Sequence, residues 1–431
     1  MRIAFYTLGC KVNQYETTVM TNQFANDGFD IVAFDDEADV YVINSCTVTE
    51  SGDKKTRQLI RRIKRSDENA VIALTGCFPQ AFPEEAKIIN EVSVLQGSYN
   101  RSALLSNVKK FLQTRERVID ITPHEKGESF EPMKTAKFHE HTRAFVKIED
   151  GCDRYCSYCI IPKARGPIRS KKLQDIKEEL EALAQNGYKE IVLVGINLSS
   201  YGKETNYDVR LIDAIELACS IEGVKRVRLG SLEPELLSED DLARMASLDK
   251  FCPQFHLSMQ SGSDDTLKRM NRHYSADQYY DIVKNIRNKF DNPAITTDIM
   301  VGFAGEDERE FAESLEFAHK VGFAKAHIFS YSIRVGTRAA TMENQVDKPT
   351  KDSRSKKMIE ATIKAQQEFL DSQVSSIQDV LFETKQSEDN YVGYTKNYTR
   401  VVAKSDKDIS GEILKVLLTK REDEHCIGQL V

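Results

Sequence analysis

Arg143-Ala-Phe-Val-Lys-Ile-Glu-Asp-Gly-Cys152-Asp-Arg-Tyr-Cys156-Ser-Tyr-Cys159 joins an apolar, strand-like run to three cysteines spaced C-x3-C-x2-C. Thiolates set so closely are first of all metal ligands. A four-iron cluster is normally held by four thiolates, so a local set of three implies one iron open to another ligand, and with it chemistry as well as electron storage. The spacing departs from the runs of electron-carrier ferredoxins and lacks the paired knuckles of a zinc site. The plainer alternative is a zinc or disulfide staple, which the cysteine arithmetic disfavours. The triplet stands just beyond a strand, where a parallel α/β fold builds its site.

The chain has 431 residues, enough for two or three domains with ample core, so cysteine is not needed as a staple. Its first residues, MRIAFYTLGC and then KVNQYET, read neither as a signal peptide nor as a bilayer span, and the expected compartment is the cytoplasm, where thiols stay reduced. Sixty Lys+Arg against 67 Asp+Glu give a net charge of −7, which leaves any binding of a polyanion to local patches. Of the nine cysteines, Cys219, Cys252 and Cys426 are scattered and read as small buried hydrophobes.

Outward from the triplet, apolar runs alternate with helical ones. Before it, IAFYTL, VYVINS and VIALTG read as parallel strands separated by the helical stretches YETTVMTNQFANDG and DKKTRQLIRRIKR. Cys10, Cys46 and Cys77 each follow one of these strands. Carboxyl ends of parallel strands converge on a ligand crevice, so three thiols without local spacing are expected to meet in space; the alternative is three unrelated buried thiols. A polar stretch near 113–142 reads as a linker. Beyond it, strands at Ala144–Ile148, Glu190–Val194, Arg226–Leu229, Gln254–Leu257, Ile295–Val301 and Ala326–Tyr331 alternate with helices at Leu173–Asn186, Asp208–Ile221, Ala276–Phe290 and Glu308–Val321, the pattern of a partial (β/α)6 barrel.

After about residue 373, short runs broken by Gly, Asn and Asp read as a small antiparallel β-barrel, either an RNA binder or a structural appendage. Residues 371–431 carry eight Lys+Arg against eleven Asp+Glu, which argues against a strong generic grip on phosphate. Tyr391, Tyr394 and Tyr398 would stack on bases or pack across strands. The expected organisation is an N-terminal α/β domain over 1–115, a linker over 116–140, the barrel over 141–372 and the small β-barrel over 373–431.

The triplet resembles that of the radical S-adenosylmethionine (SAM) enzymes. TLGCKVNQYET, NSCTVTE, TGC at Cys77, IIPKARGPIRS, VGINLSSYG, GSLEPELL, LSMQSGSDDTLKRMNRHY and DIMVGFAGE together resemble the methylthiotransferases, from Cys10 to about Thr337, and the C-terminal barrel looks like that family's TRAM domain. The Cys10 string resembles most the branch that acts on tRNA.

The resemblance implies two 4Fe-4S clusters: Cys152, Cys156 and Cys159 would hold the one whose open iron chelates SAM, and Cys10, Cys46 and Cys77 an auxiliary one carrying exchangeable sulfur. It implies that one SAM methylates this sulfur and a second is cleaved to a 5′-deoxyadenosyl radical, so that a methylthio group is added to carbon 2 of N6-threonylcarbamoyladenosine at position 37, in the anticodon stem-loop of tRNA. A flavodoxin- or ferredoxin-type electron donor and a sulfur donor are implied partners; no membrane is, and the protein is expected to be a monomer.

By the same resemblance Tyr158, Glu233, Gln260, Ser261, Gly302 and Gly305 would line SAM, although Gly302 and Gly305 also suit plain turns. Arg165 and Arg169 would grip either tRNA phosphate or the SAM carboxylate. Lys54, Lys55, Arg57, Arg61, Arg62, Lys64 and Arg65, seven cations in twelve residues without an acid, form a tRNA-binding candidate or a solvated helix face. Prolines common in the family are missing from Ser332-Ile-Arg-Val-Gly-Thr337 and Gly302-Phe-Ala-Gly-Glu306, which loosens turns and removes no ligand. The competing readings are methylthiolation of an aspartate on a small-subunit ribosomal protein, whose string more often reads LGCPKN, and a non-catalytic iron–sulfur RNA-binding protein.

Overall fold

A computed structural model describes residues 1–138, 142–204 and 208–431. Residues 139 and 140 of the expected linker, and residue 141 at the expected start of the central domain, lie outside the described residues.

The N-terminal domain is one parallel sheet of β1 (Arg2–Thr7), β2 (Asp30–Val32), β3 (Val40–Ser45), β4 (Val71–Gly76), β5 (Val94–Gln96) and β6 (Val118–Asp120), in the order β2-β1-β3-β4-β5-β6. β3 and β4 are buried at every residue. A parallel strand covered on both faces reads as a continuous apolar run, as VYVINS and VIALTG do. β6 corrects the expected linker: these three residues pair in register with β5, in a segment too short to show a period of its own. The Lys11–Asn26 helix has two apolar faces. Met20 and Phe24 pack on its own sheet, while Val12, Tyr15 and Val19 enter the core of the central domain, so the first helix already joins the two.

The central domain contains β7 (Arg143–Lys147), a short antiparallel pair of β8 (Glu149–Asp150) and β9 (Arg169–Ser170), then β10 (Glu190–Val194), β11 (Arg226–Leu229), β12 (Ser231–Leu232), β13 (Gln254–Leu257), β14 (Ala294–Val301) and β15 (Lys325–Ser330). Parallel sheets β7-β10-β11 and β12-β13-β14-β15 meet where β11 passes into β12 through Gly230, giving one curved wall of six strand positions, with the Leu173–Gln185, Leu211–Ser220, Ala276–Lys289 and Glu308–Val321 helices between successive strands. One continuous apolar core fills it. Strand and helix bounds match the sequence reading to within a residue or two except for the Leu211–Ser220 helix, which starts three residues late.

A 26-residue helix, Lys348–Gln373, packs on β15 and leads into a closed barrel of β16 (Ile377–Lys385), β17 (Asn390–Thr395), β18 (Arg400–Lys404), β19 (Ile413–Glu422) and β20 (His425–Leu430), in the order β16-β17-β18-β20-β19. The sequence suggested an antiparallel barrel; β18 and β20 run parallel. A ring with an odd number of strands cannot close with antiparallel pairs alone.

Two buried arginines seat this barrel on the central domain. Arg226 donates to the carbonyls of Tyr394 (2.9 Å) and Asp379 (2.6 Å). Arg228 donates to those of Lys396 (2.9 Å) and Thr395 (3.3 Å) and to the buried Glu190 carboxylate (2.8 Å). Tyr394 and Tyr398 stack on each other, with ring centroids 4.6 Å apart, and Arg143 and Arg228 lie over Tyr398, while Tyr391 fills the barrel core. Among the described residues no helix is long and apolar enough to cross a membrane.

Removing the Arg228 guanidinium strands Glu190 without its closest charge partner. Arg228→Ala is therefore expected to lower stability by about 3–5 kcal/mol in denaturant unfolding; a loss well under 1 kcal/mol would show that this pair does not hold the interface.

Candidate metal centres and the cavity beside them

β1, β3 and β4 are neighbours in the sheet, and their carboxyl ends deliver Cys10, Cys46 and Cys77 side by side. Cys10 caps the Lys11–Asn26 helix, Cys46 follows β3, and Cys77 opens a short helix, Cys77–Ala81. The turn at Gly9 has φ +113°, and a Cβ there would stand 2.9 Å from Cys46 Cβ, so glycine is what lets the Cys10 loop close on Cys46. Cys77 is buried, Cys46 half-buried and Cys10 exposed. Burial pushes the Cys46 thiol up to about 12 and raises Cys77 as well. Such thiols ionise when a metal's charge compensates for the lost hydration.

Cys152, Cys156 and Cys159 lie on the loop beyond β7 and β8. Burial raises Cys152 and takes Cys159 up to about 12. Asn197 Nδ2 donates to Cys152 Sγ (3.7 Å) and Arg272 Nη1 to Cys156 Sγ (3.4 Å). Arg272 also grips Glu233 with both terminal nitrogens and lies over the Tyr274 ring. Among the described residues no three His, Cys, Asp or Glu side chains converge on a single-ion site. A polynuclear cluster spreads its thiolates over separate irons, and two all-cysteine sets of three, each with N–H donors on sulfur, fit two such clusters.

The two sets are physically joined. The short helix Ile161–Arg165 follows the triplet directly, and Arg165 Nε at its end donates to Cys77 Sγ at 3.1 Å. Its terminal nitrogens bind Glu16 (2.5 and 3.1 Å) and Asn13 Oδ1 (2.5 Å), and the Cys10 S–H donates to the same oxygen (3.7 Å). Glu16, wholly buried, also meets Lys147 (2.7 Å) and Arg101 (3.2 Å). Burial alone would raise its carboxyl, but Arg101, Arg165 and Lys147 outweigh that and hold it at about 2.

A cavity of about 580 Å³ opens beside this centre, lined by Cys10 and Lys11, by Gly195 and Ser231 at strand ends, by Asp298, and by Tyr398 from the C-terminal barrel. Gly195 is two residues from Asn197, so the loop after β10 touches both the cavity and Cys152. His256 joins Asp298 (3.3 Å) and Thr296 (3.1 Å) on the far wall. A second hollow of about 550 Å³ borders Cys156 and Cys159, with Lys163 and Arg338 on its rim. A cleft of about 600 Å³ where the C-terminal barrel meets β14 and the Lys348–Gln373 helix, and one of about 860 Å³ on the barrel itself, include none of the six cysteines.

Tyr158 stands between Cys156 and Cys159 in the chain, and Glu233 shares Arg272 with Cys156, so both fall beside the triplet. Gln260, with φ +63°, donates its amide N–H to the Asp298 carbonyl (2.9 Å), and Ser261 is buried behind it. Gly302 and Gly305 line neither cysteine cavity; both hold positive φ, and their open sides face Lys351 and Arg269.

Arg165 and Arg169 need correction. Arg165 is buried against Cys77 and Glu16, and Arg169 is held by Glu128 (3.1 Å), Asp150 (3.4 Å) and the Pro167 carbonyl (3.0 Å), so neither guanidinium is free for phosphate or for a SAM carboxylate. On the Glu50–Ser66 helix Lys54 pairs with Glu50 (2.9 Å), Arg57 with Glu85 (2.8 Å) and Arg62 with Asp35, and Lys64 donates to the Glu68 and Ala70 carbonyls. Lys55, Arg61 and Arg65 stay exposed. Sequence reasoning missed Glu16, Asn197, Arg272 and Lys11, although all four stand inside strings already singled out: Lys11 and Glu16 in TLGCKVNQYET, Asn197 in VGINLSSYG and Arg272 in LSMQSGSDDTLKRMNRHY.

Residues 146–318 match the radical SAM superfamily and residues 2–97 a family described as uncharacterized protein family UPF0004. The chain is 37% identical to threonylcarbamoyladenosine tRNA methylthiotransferase MtaB of Bacillus subtilis, over all of this chain and 96% of that one. It is 35% identical to the protein of that name from Aquifex aeolicus, over 97% of this chain and 100% of that one. It is 34% identical to a tRNA-2-methylthio-N6-dimethylallyladenosine synthase of Natranaerobius thermophilus, over 99% and 96%. Among solved structures it resembles the radical SAM methyltransferase TsrM of Kitasatospora setae, with a TM-score of 0.57 at 12% identity over 79% of this chain and 74% of that one, a likeness of fold. With Arg165 tying the segment after one cysteine set to a thiol of the other, and with full-length relatives of this kind, the chain belongs to the radical SAM methylthiotransferase family, whose cofactors are SAM and two 4Fe-4S clusters.

Proposed function

We propose that the chain adds a methylthio group to carbon 2 of N6-threonylcarbamoyladenosine at position 37 of tRNA, using two SAM per turnover. The single observation that carries the two-centre reading is Arg165, which ties the loop of one cysteine set to a thiol of the other. Methylthiotransferase relatives named for tRNA nucleosides support tRNA as the substrate, and the ribosomal-protein and non-catalytic readings are not favoured.

Cys152, Cys156 and Cys159 would hold the SAM-binding cluster and Cys10, Cys46 and Cys77 the auxiliary one. When bound, these groups supply the radical and the sulfur, which no side chain can provide for an unactivated aromatic C–H. The protein supplies position and shelter. Arg272 places a charge-assisted donor on Cys156 while Glu233 fixes its fork. Tyr398, clamped under Arg143 and Arg228, closes the cavity on the C-terminal side. Tyr158, Gln260 and Ser261 remain candidates for SAM itself.

On this reading the C-terminal barrel is TRAM-like, and the exposed Lys55, Arg61 and Arg65 meet tRNA phosphates. The protein would work in the cytoplasm as a monomer, served by a flavodoxin- or ferredoxin-type reductant and a sulfur donor.

Reconstituted enzyme given SAM, sulfide, a reductant and tRNA should yield the methylthio mass increment on threonylcarbamoyladenosine in nucleoside mass spectrometry. An increment on the ribosomal protein and none on tRNA would overturn the assignment. The Cys10→Ala/Cys46→Ala/Cys77→Ala variant should keep one cluster's worth of iron and sulfide, about half the parent content; retention of both sinks the auxiliary site. Replacing Lys55, Arg61 and Arg65 by alanine should weaken tRNA binding uniformly across sequences and reduce the salt slope of log affinity by about 2–3. An unchanged slope would remove this helix from the interface.

A further inference from the structure

The cavity beside Cys10 has one cation with nothing to pair with. Lys11 lines it and keeps contact with solvent, and among the described residues its side chain makes no hydrogen bond and no ion pair. The cations behind it are committed: Arg143 holds Glu383 (2.5 Å) and Arg228 holds Glu190 (2.8 Å). Lys325, elsewhere on the same lining, is paired with Glu424 at 3.1 Å. The carboxylate of the cavity, Asp298, faces His256. The Lys11 end is therefore a positive pocket awaiting an anion.

The reaction says where that anion would come from. In adenine, carbon 2 and N6 flank N1 on one edge of the ring. A base whose carbon 2 is presented to the centre held by Cys10 brings its N6 substituent to the same stretch of wall, and Lys11 is the next residue. A threonylcarbamoyl substituent ends in a carboxylate; a dimethylallyl substituent is uncharged.

We propose that Lys11 determines substrate specificity by pairing with the carboxylate on the N6 substituent of the target adenosine. This rests on the reading above and adds the residue that tells the two nucleosides apart. A charge-assisted bond of this kind contributes enough to change affinity about tenfold. The other residues lining the pocket are apolar, such as Val12, Val194, Leu229 and Phe329, or polar and uncharged, or charged and internally paired, so Lys11 is where the discrimination resides.

The test measures the affinity of the reconstituted full-length protein for anticodon stem-loop RNA carrying threonylcarbamoyladenosine, its methyl ester, dimethylallyladenosine or plain adenosine. The parent should prefer the free carboxylate. Lys11→Gln should lose about tenfold on that RNA alone and bind all four nearly alike, with iron content unchanged, and Lys11→Arg should restore the preference. A loss of equal size on every RNA would make Lys11 a phosphate contact, and a retained preference in Lys11→Gln would place the discrimination elsewhere; either overturns the inference. If the parent itself shows no preference for the carboxylate and modifies only the dimethylallyl RNA, the threonylcarbamoyl reading falls first and the role of Lys11 with it.

Discussion

Everything at the catalytic end hangs on one buried carboxylate, Glu16. It lies on the first helix of the N-terminal domain, yet its partners Lys147 and Arg165 belong to the central domain and Arg101 to its own. Asp150 binds Lys147 (2.6 Å), Arg165 (3.5 Å) and Arg169 (3.4 Å) in turn, and Glu128 and Glu131 complete the balance, so four cations meet four carboxylates. Buried ion pairs repay their desolvation poorly, and an apolar patch of the same volume would stabilise the interface as well. What an apolar patch lacks is direction. Fork-shaped guanidiniums fix angle and distance together, and here that fixes how the two cysteine sets are placed relative to each other.

The same device appears at each set. Arg165 divides its nitrogens between a thiol, Cys77, and a carboxylate, Glu16; Arg272 divides its own between Cys156 and Glu233. Hydrogen bonds to cluster sulfurs and exposure to water both tune iron–sulfur potentials. Across Cys10, Cys46 and Cys77 exposure is graded, from Cys77 against the buried network to Cys10 at the cavity. The approachable side of that cysteine set is thus the Cys10 side, which opens on the cavity, while the Cys77 side is shut by charge.

Much of the fold was legible because burial writes a period into sequence. Strands covered on both faces read as unbroken apolar runs, and the placement of Cys10, Cys46 and Cys77 one after each run marks where they meet. What was illegible depends on partners far away in the chain. Arg165 resembled a free cation because Glu16 lies 149 residues off. The basic helix resembled a phosphate grip because Asp35 and Glu85 lie outside its twelve residues. β6 is three residues long and exists only because β5 offers it an edge. The aromatic pair Tyr394 and Tyr398, equally suited to stacking on bases, is taken up by Arg143 and Arg228 at a domain interface.

That interface shows why a small barrel is attached at all. Arg143, Arg226 and Arg228 project from β7 and β11, and Glu190 on β10 lies among them with its carboxyl held low: burial alone would raise it, but Arg228, Arg143 and Arg226 outweigh burial. Backbone carbonyls of the barrel take up the donors that Glu190 cannot. The barrel therefore satisfies the amino end of the strand wall and, through Tyr398, closes the cavity whose opposite side carries Cys10. Three domains each line a single cavity, and fixed charge together with the apolar contacts of Val12, Tyr15 and Val19 sets how those walls are aligned.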